Sequence, residues 1–234
     1  MQFIKLKPVI SILSFMFLLM GCQEEPKHQP IIKTEKIQKK EIKKPESIQK
    51  KWDSLNRNNV AAFFTEYGKQ NKETNVLIST KFGEIKLRLY NDTPIHRASF
   101  IFLSKINYFN TTVFYRIAKG FVIQGGNSDE SYTQAQRNKY DNYLMEPEFR
   151  SNRKHKYGAL AAARDYENNP NKLSSPFEFY IVQSKKGAHH LNNEHTVFGE
   201  VVSGFSALDK IAQVEVGPDE WPLIDIDMKV EVLD

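Results

Sequence analysis

The sequence predicts a mainly β domain, a closed β-barrel capped by helices, carried behind an N-terminus of a different kind. Three observations predict it. From Asn75 onward, short runs of alternating apolar and polar residues recur between turn residues. Two amphipathic helical stretches lie near the two ends of that region. The first 51 residues instead hold an apolar run and then a charged, core-poor segment. Closure into a barrel also removes the unpaired strand edges that invite aggregation.

The chain opens with Lys5 and Lys7 and then thirteen uncharged residues, Pro8 to Met20. A basic start and an apolar run of that length read as a signal sequence, too short to span a bilayer of about 20 helical residues. The run ends at Leu19-Met20-Gly21-Cys22, which resembles a bacterial lipobox, although Met20 is larger than the residue common there. The resemblance implies cleavage after residue 21 and lipidation of Cys22, the only Cys in the chain. Several acyl chains hold a protein stably on a membrane where one binds only marginally. Gln23-Glu24-Glu25-Pro26 resembles the surface-export signal of some bacterial lipoproteins. Lys, Glu, Gln and Pro dominate residues 22–51, a tether of roughly 30 Å average reach. The expected location is therefore the cell envelope, lipid-anchored to the outer membrane, with the periplasmic or outer face left open.

Residues 52–73 read as a short helical extension, capped by Asp53 or Ser54 and packed on the main domain. Val60, Phe63, Phe64 and Tyr67 share one helical face, and Gly68 follows as a helix stop. The main domain runs over 74–234. Val76, Ile78, Ile85, Leu87 and Leu89 alternate around the turn Lys81-Phe82-Gly83 and predict two strands. Thr93 is placed to cap a helix with Pro94 at its first position. Ile95, Ala98, Ser99, Phe102, Leu103 and Ile106 form its inner face. Strands follow at Phe114–Ile123 (strand, turn, strand), Gly158–Ala163, Phe179–Gln183 and Val197–Val202. A second helix spans Ser206–Ala212, with Phe205, Leu208 and Ile211 inward. Ile224, Ile226, Met228, Val230 and Val232 alternate into a closing strand.

The formal net charge is +5. Residues 52–234 have a net charge of −1, so the basicity lies in the N-terminal segment. A nucleic-acid-binding domain carries its own basic face, so nucleic acid is set aside as a partner. A single Cys excludes an intrachain disulfide. His189, His190 and His195 lack metal-site spacing, and no cofactor or metal is expected.

The string Phe114-Tyr-Arg-Ile-Ala-Lys-Gly-Phe-Val-Ile-Gln-Gly-Gly126 holds an Arg on a strand, an aromatic after a Gly turn and a Gln before Gly-Gly. It resembles the cyclophilin signature Phe-His-Arg-x-x-x-Gly-Phe-x-x-Gln-Gly-Gly. Ser174-Ser-Pro-Phe-Glu-Phe-Tyr-Ile181 and Leu191-Asn-Asn-Glu-His-Thr-Val-Phe-Gly199 resemble two further blocks of that family, in order. The resemblance covers residues 74–234 and implies an eight-stranded antiparallel barrel capped by two α-helices. It also implies peptidyl-prolyl cis-trans isomerisation by a monomer acting on proline-containing polypeptides.

Carried over by position, Arg116 matches the catalytic Arg and Gln124 the residue that orients it. Phe121 and Val122 match the proline pocket, joined by Tyr180, Leu191 and His195. Ala163 and Arg164 fall where the family pairs its backbone with the residue before proline. Five departures stand out, one of them Val122 in place of a Met, which widens the pocket slightly. Glu178 replaces a Gln, and a carboxylate accepts hydrogen bonds without donating them, so it could pair with Arg116 against substrate. His190 stands where other members have Trp or His and implies weak cyclosporin binding. Pro176-Phe177 replaces a Gly-Ser pair. The stretch Ser131–Leu144, Gly-rich in relatives, has no Gly and reads as a short helix.

The chemistry suits an arginine. Rotation about an Xaa-Pro bond meets a barrier of about 18–20 kcal/mol and takes tens to hundreds of seconds unaided. It needs no nucleophile, only a fixed donor that favours the twisted amide, and a guanidinium stays protonated throughout. The expected clients are exported or envelope proteins. The alternative is a low-activity proline-peptide-binding or chaperone module on the same fold, suggested by Glu178, Arg164 and the 127–145 segment.

Overall fold

The computed structural model describes residues 55–233. The signal sequence, Cys22, the tether, and Asp53 and Ser54 lie outside them. Among the described residues there are four α-helices and eight strands. In chain order they are α1 (Val60–Gln70), β1 (Asn75–Thr80), β2 (Gly83–Leu89), α2 (Pro94–Lys105), β3 (Arg116–Ala118) and β4 (Val122–Gly125). Then come α3 (Ser131–Lys139), β5 (Ala159–Ala162), β6 (Phe179–Val182), β7 (Val197–Ser203), α4 (Phe205–Ile211) and β8 (Lys229–Val232). Short 3-10 turns occupy Phe109–Thr111 and His189–Leu191.

All eight strands join one antiparallel sheet in the order β3-β4-β6-β5-β7-β2-β1-β8. The outer strands β3 and β8 share no ladder among the described residues. The segments leading into them meet instead: Val113 bridges Asp227, and the Phe114 N–H donates to Ile226 O at 3.0 Å. The sequence-based expectation of a closed barrel becomes a curled sheet whose edges touch at one bridge. The closing strand is shorter than its alternation predicts. Ile226, Met228 and Val230 are buried, but Ile224 is 73% exposed and unpaired in the ladder, so no pleat directs it inward.

Helix α2 fills the inner face of the sheet and is buried along nearly its whole length, from His96 to Ser104. Its outer side is covered by α1, so it is not the one-faced surface helix that the pattern suggests; Ile106, just past its end, is exposed. Thr93 occupies the N-cap position without capping: its hydroxyl donates to Tyr90 O at 3.3 Å. The free N–H groups of Ile95 and His96 go to the Glu148 carboxylate, at 3.3 and 2.9 Å. A carboxylate at a helix N-terminus meets both the unpaired donors and the positive end of the dipole. His96 Nδ1 adds a third contact to Glu148 at 2.7 Å, and the hydrogen bonds outweigh burial in holding that carboxyl below its usual range.

Helix α1 starts at Val60, after an Asn-rich turn in which Asn56 N–H donates to Asn59 Oδ1 at 2.9 Å. Buried Arg97 of α2 binds the far end of α1, donating to Gly68 O, Asn71 O and Glu73 O at 3.2, 2.8 and 3.2 Å. Orphan carbonyls at a helix C-terminus are thereby satisfied. Between the helices, Phe102 is ringed by Phe63, Phe64, Tyr67 and Tyr140, with centroids 5.6–5.8 Å away. Phe102→Ala removes a fully enclosed ring and is expected to cost about 3–5 kcal/mol of stability, read from urea unfolding of a 52–234 fragment.

Candidate active site

The site is a product of strand register. Arg116 pairs with Gln124, Gln124 with Tyr180, and Tyr180 with Ala161, a row across β3, β4, β6 and β5. Residues directly opposite share a face, and neighbours along each strand take the other. Ile117, Ile123, Ile181 and Leu160 therefore enter the main core. Ala118, Val122, Tyr180, Ala161 and Val182 form a second apolar cluster, with Ala163, Leu191 and Val197, that floors the site.

A cavity of about 100 Å³ opens there, lined by Arg116, Phe121, Val122, Gln124, Ala163, Arg164, Tyr166, Tyr180, Leu191 and His195. It is small beside the roughly 300–1,000 Å³ of drug-sized sites, so it takes one compact ring or side chain. Nine of the eleven domain residues singled out in the sequence meet here. Glu178 and His190 do not line it, and Tyr166 does, without any signal in the pattern to predict it. His190 instead stacks on Phe121 from outside, with centroids 5.5 Å apart. Gly120 makes the turn that presents Phe121: it takes φ +77°, and its N–H donates to Gln183 Oε1 at 3.1 Å.

Arg116 is held on two sides. Its Nη1 donates to Gln124 Oε1 at 3.4 Å, and its Nε forms an ion pair with Glu220 Oε2 at 2.7 Å. Gln124 Nε2 donates to the Tyr115 hydroxyl, which donates in turn to Glu178 Oε2 at 2.9 Å. Glu178 ends the relay on Arg137, with Oε1 and Nη1 2.8 Å apart. This corrects the expectation that Glu178 would pair with Arg116: α3 supplies its own arginine. Arg137 Nε and Nη2 donate to the Tyr108 hydroxyl and to Gly126 O, both at 2.9 Å. Burial first, then the Glu178 charge, pushes the Tyr115 phenol far above its ordinary range, so it stays a neutral donor. Pro176-Phe177 has a structural outcome as well. Phe177 is buried between Tyr108 and Tyr143, and its carbonyl would lie 2.0 Å from a Cβ at position 126, so only Gly fits there.

Tyr180 keeps the pocket apolar despite its hydroxyl. That group lies 2.9 Å from Nε2 of fully buried His155, whose Nδ1 is 3.0 Å from Asn192 Oδ1. The amide oxygen only accepts, so His155 carries its proton on Nδ1 and accepts from Tyr180 at Nε2. His195 Nδ1 donates to Ala162 O at 3.0 Å, which leaves Nε2 to accept from Tyr166 at 2.7 Å. The Ala163 N–H goes to Glu178 O, and its C=O accepts from Ser175. The Arg164 side chain pairs with Glu194, Nη2 to Oε2 at 2.9 Å, and its guanidinium stacks over Tyr166.

Burial lowers the His155 pKa to about 4. Between the unfolded value near 6.5 and that value, the unfolded chain binds a proton that the native chain refuses. This contribution to stability is full above pH 6.5 and is lost as the pH falls towards 4. Urea midpoints measured from pH 7 to pH 4.5 should fall less steeply for His155→Gln than for the wild type.

The family described as cyclophilin type peptidyl-prolyl cis-trans isomerase/CLD matches residues 75–232. Peptidyl-prolyl cis-trans isomerase-like 3 of Dictyostelium discoideum is 33% identical over 156 residues, covering 66% of this chain and 91% of that protein. A peptidyl-prolyl cis-trans isomerase of Arabidopsis thaliana is also 33% identical over 156 residues, covering 64% of this chain and 90% of its own length. Among solved structures, a cyclophilin type peptidyl-prolyl cis-trans isomerase of Cryptosporidium parvum, determined in the presence of the dipeptide Ala-Pro, is 25% identical with a TM-score of 0.58. The match covers 68% of this chain and 99% of that one.

Proposed function

The chain belongs to the cyclophilin-type peptidyl-prolyl cis-trans isomerase family, and from that membership we propose that it accelerates rotation about Xaa-Pro bonds by holding the twisted amide at Arg116. One observation carries the mechanism: a single small cavity sets a gripped guanidinium beside the apolar faces of Phe121, Val122, Tyr180 and Leu191. The proline ring fits the cavity, and the rest of the peptide lies along the surface. Rotation breaks amide resonance and leaves a lone pair on the proline nitrogen. A donor already aimed at that position stabilises the twisted amide more than either planar form. Gln124, oriented through Tyr115, keeps the guanidinium from following the substrate. Of the two residues proposed to meet the peptide backbone, Ala163 gives its N–H to Glu178 O and accepts once at its C=O, which keeps a second lone pair for a peptide, beside Arg164. A relative solved with Ala-Pro supports proline-containing substrates.

The binding-module alternative rests on Glu178, Arg164 and the 127–145 segment. Pairing of Glu178 with Arg137 weakens the first of these, because that carboxylate no longer competes for Arg116. In a peptide isomerisation assay, Arg116→Ala is expected to lower kcat/KM by about 100-fold while the protein stays folded. Peptide binding with exchange at the uncatalysed rate in the wild type would sink the enzyme reading and favour the module.

The N-terminus adds a location. We propose that Cys22 is lipidated and that the enzyme works from the envelope on exported proteins, with the Lys/Glu-rich tether giving it reach. The support is the Lys5/Lys7 start, the thirteen-residue apolar run and Gly21-Cys22. Cells fed labelled palmitate should label the wild type and not Cys22→Ala. Protease added to intact cells reports which face carries the domain.

A further inference from the structure

We propose that Glu220, on the loop between α4 and β8, is a positioning residue for Arg116. The inference deepens the isomerase reading and rests on it. Glu220 Oε2 lies 2.7 Å from Arg116 Nε, and Gln124 holds Nη1 from the opposite strand. A guanidinium is planar, so fixing two of its three nitrogens directs the third, Nη2. Arg116 is thus aimed jointly by a strand neighbour and by a carboxylate 104 positions further along the chain.

The loop is built to deliver that carboxylate. The Ile117 N–H, next to Arg116, donates to Glu220 O at 2.8 Å, so the same residue docks on β3 through its backbone and on Arg116 through its side chain. The Gly217 N–H donates to Trp221 O at 2.8 Å, the Glu220 N–H donates to Gly217 O at 3.0 Å, and Val216 bridges Pro222. The Trp221 ring packs on Tyr115, 5.5 Å between centroids, and Tyr115 is the residue that holds Gln124. Glu220 itself sits at φ +65°, a left-handed conformation that side chains other than Gly, Asn and Asp rarely take. The side chain is 42% exposed and Arg116 35% exposed. An ion pair that open adds little to stability, so its loss should register in turnover and not in melting.

The test compares Glu220→Gln and Glu220→Asn with the wild type and with Arg116→Ala. Gln keeps the size and removes the charge, and Asn tolerates the left-handed backbone so that the loop survives. Both variants are expected to lose about tenfold in kcat with KM within twofold, and neither melts lower than the wild type, Asn gaining from the left-handed backbone it suits. The Arg116 Nε–H resonance in a 15N spectrum should shift in both. Either folded variant turning over within twofold of the wild type overturns the proposal, as does a loss of kcat with the Arg116 resonance unmoved. If Arg116→Ala also keeps its turnover, the isomerase mechanism itself fails, and the two failures are told apart.

Discussion

Everything at the site depends on the two-residue repeat of a β-strand. In β3, β4, β6 and β5 one set of residues is committed to the core, and the intervening set is thereby displayed together on the other face. Ile117, Ile123 and Ile181 are essentially buried. Their burial places Arg116, Gln124 and Tyr180 in one row. A slip of one residue in the β3–β4 pairing would send the arginine inward and an isoleucine out, a double cost that fixes the register. Packing of the apolar half of the sheet therefore sets the geometry of the polar half.

Around this shared frame the chain adds parts of its own. Helix α3 fills the Gly-free stretch after β4 and brings Arg137 to Glu178. A lone carboxylate at that depth would be costly, and the pairing settles it within the fold. The region is braced in turn by the N-terminal extension: Arg57 pairs with Asp141 at 2.8 Å, Phe64 packs on Tyr143, and the Tyr143 hydroxyl meets Ser99 Oγ at 2.9 Å. The extension, α2 and the segment after α3 thus form one aromatic block, and its far side supports the relay that ends at Gln124.

Much of this was legible in the sequence, for reasons specific to each element. Alternation from Val76 to Leu89 and the Pro94 start gave the first hairpin and α2, because period and punctuation are local properties. The string from Phe114 to Gly126 placed Arg116 and Gln124 together, because a hairpin fixes its own pairing. What was not legible depends on distant closure. Thr93 looked like a cap, but Glu148, 52 residues beyond His96, takes the N–H groups. The sequence sets Glu178 against Arg116 because nothing local announces Arg137. Tyr166, His155 and Glu220 reach the site only through loops whose ends are set by the whole sheet. The closing strand is shorter than its alternation, since the pattern runs on through Ile224, where no partner pairs with it, and only one bridge at Asp227 precedes the ladder of β8.

The sheet order has a consequence for how the chain is made. β1 lies between β2 and β8, with Val76 paired to Val232, so the first strand of the domain is completed only by the last. Until β8 pairs with it, β1 keeps an open edge and α2 lacks the cover that β8 gives it. Pairings this far apart in sequence form slowly, since the intervening loop must be closed before they give anything back. The topology itself sets that delay: β1 waits for a partner 156 positions further along the chain before its second edge is covered.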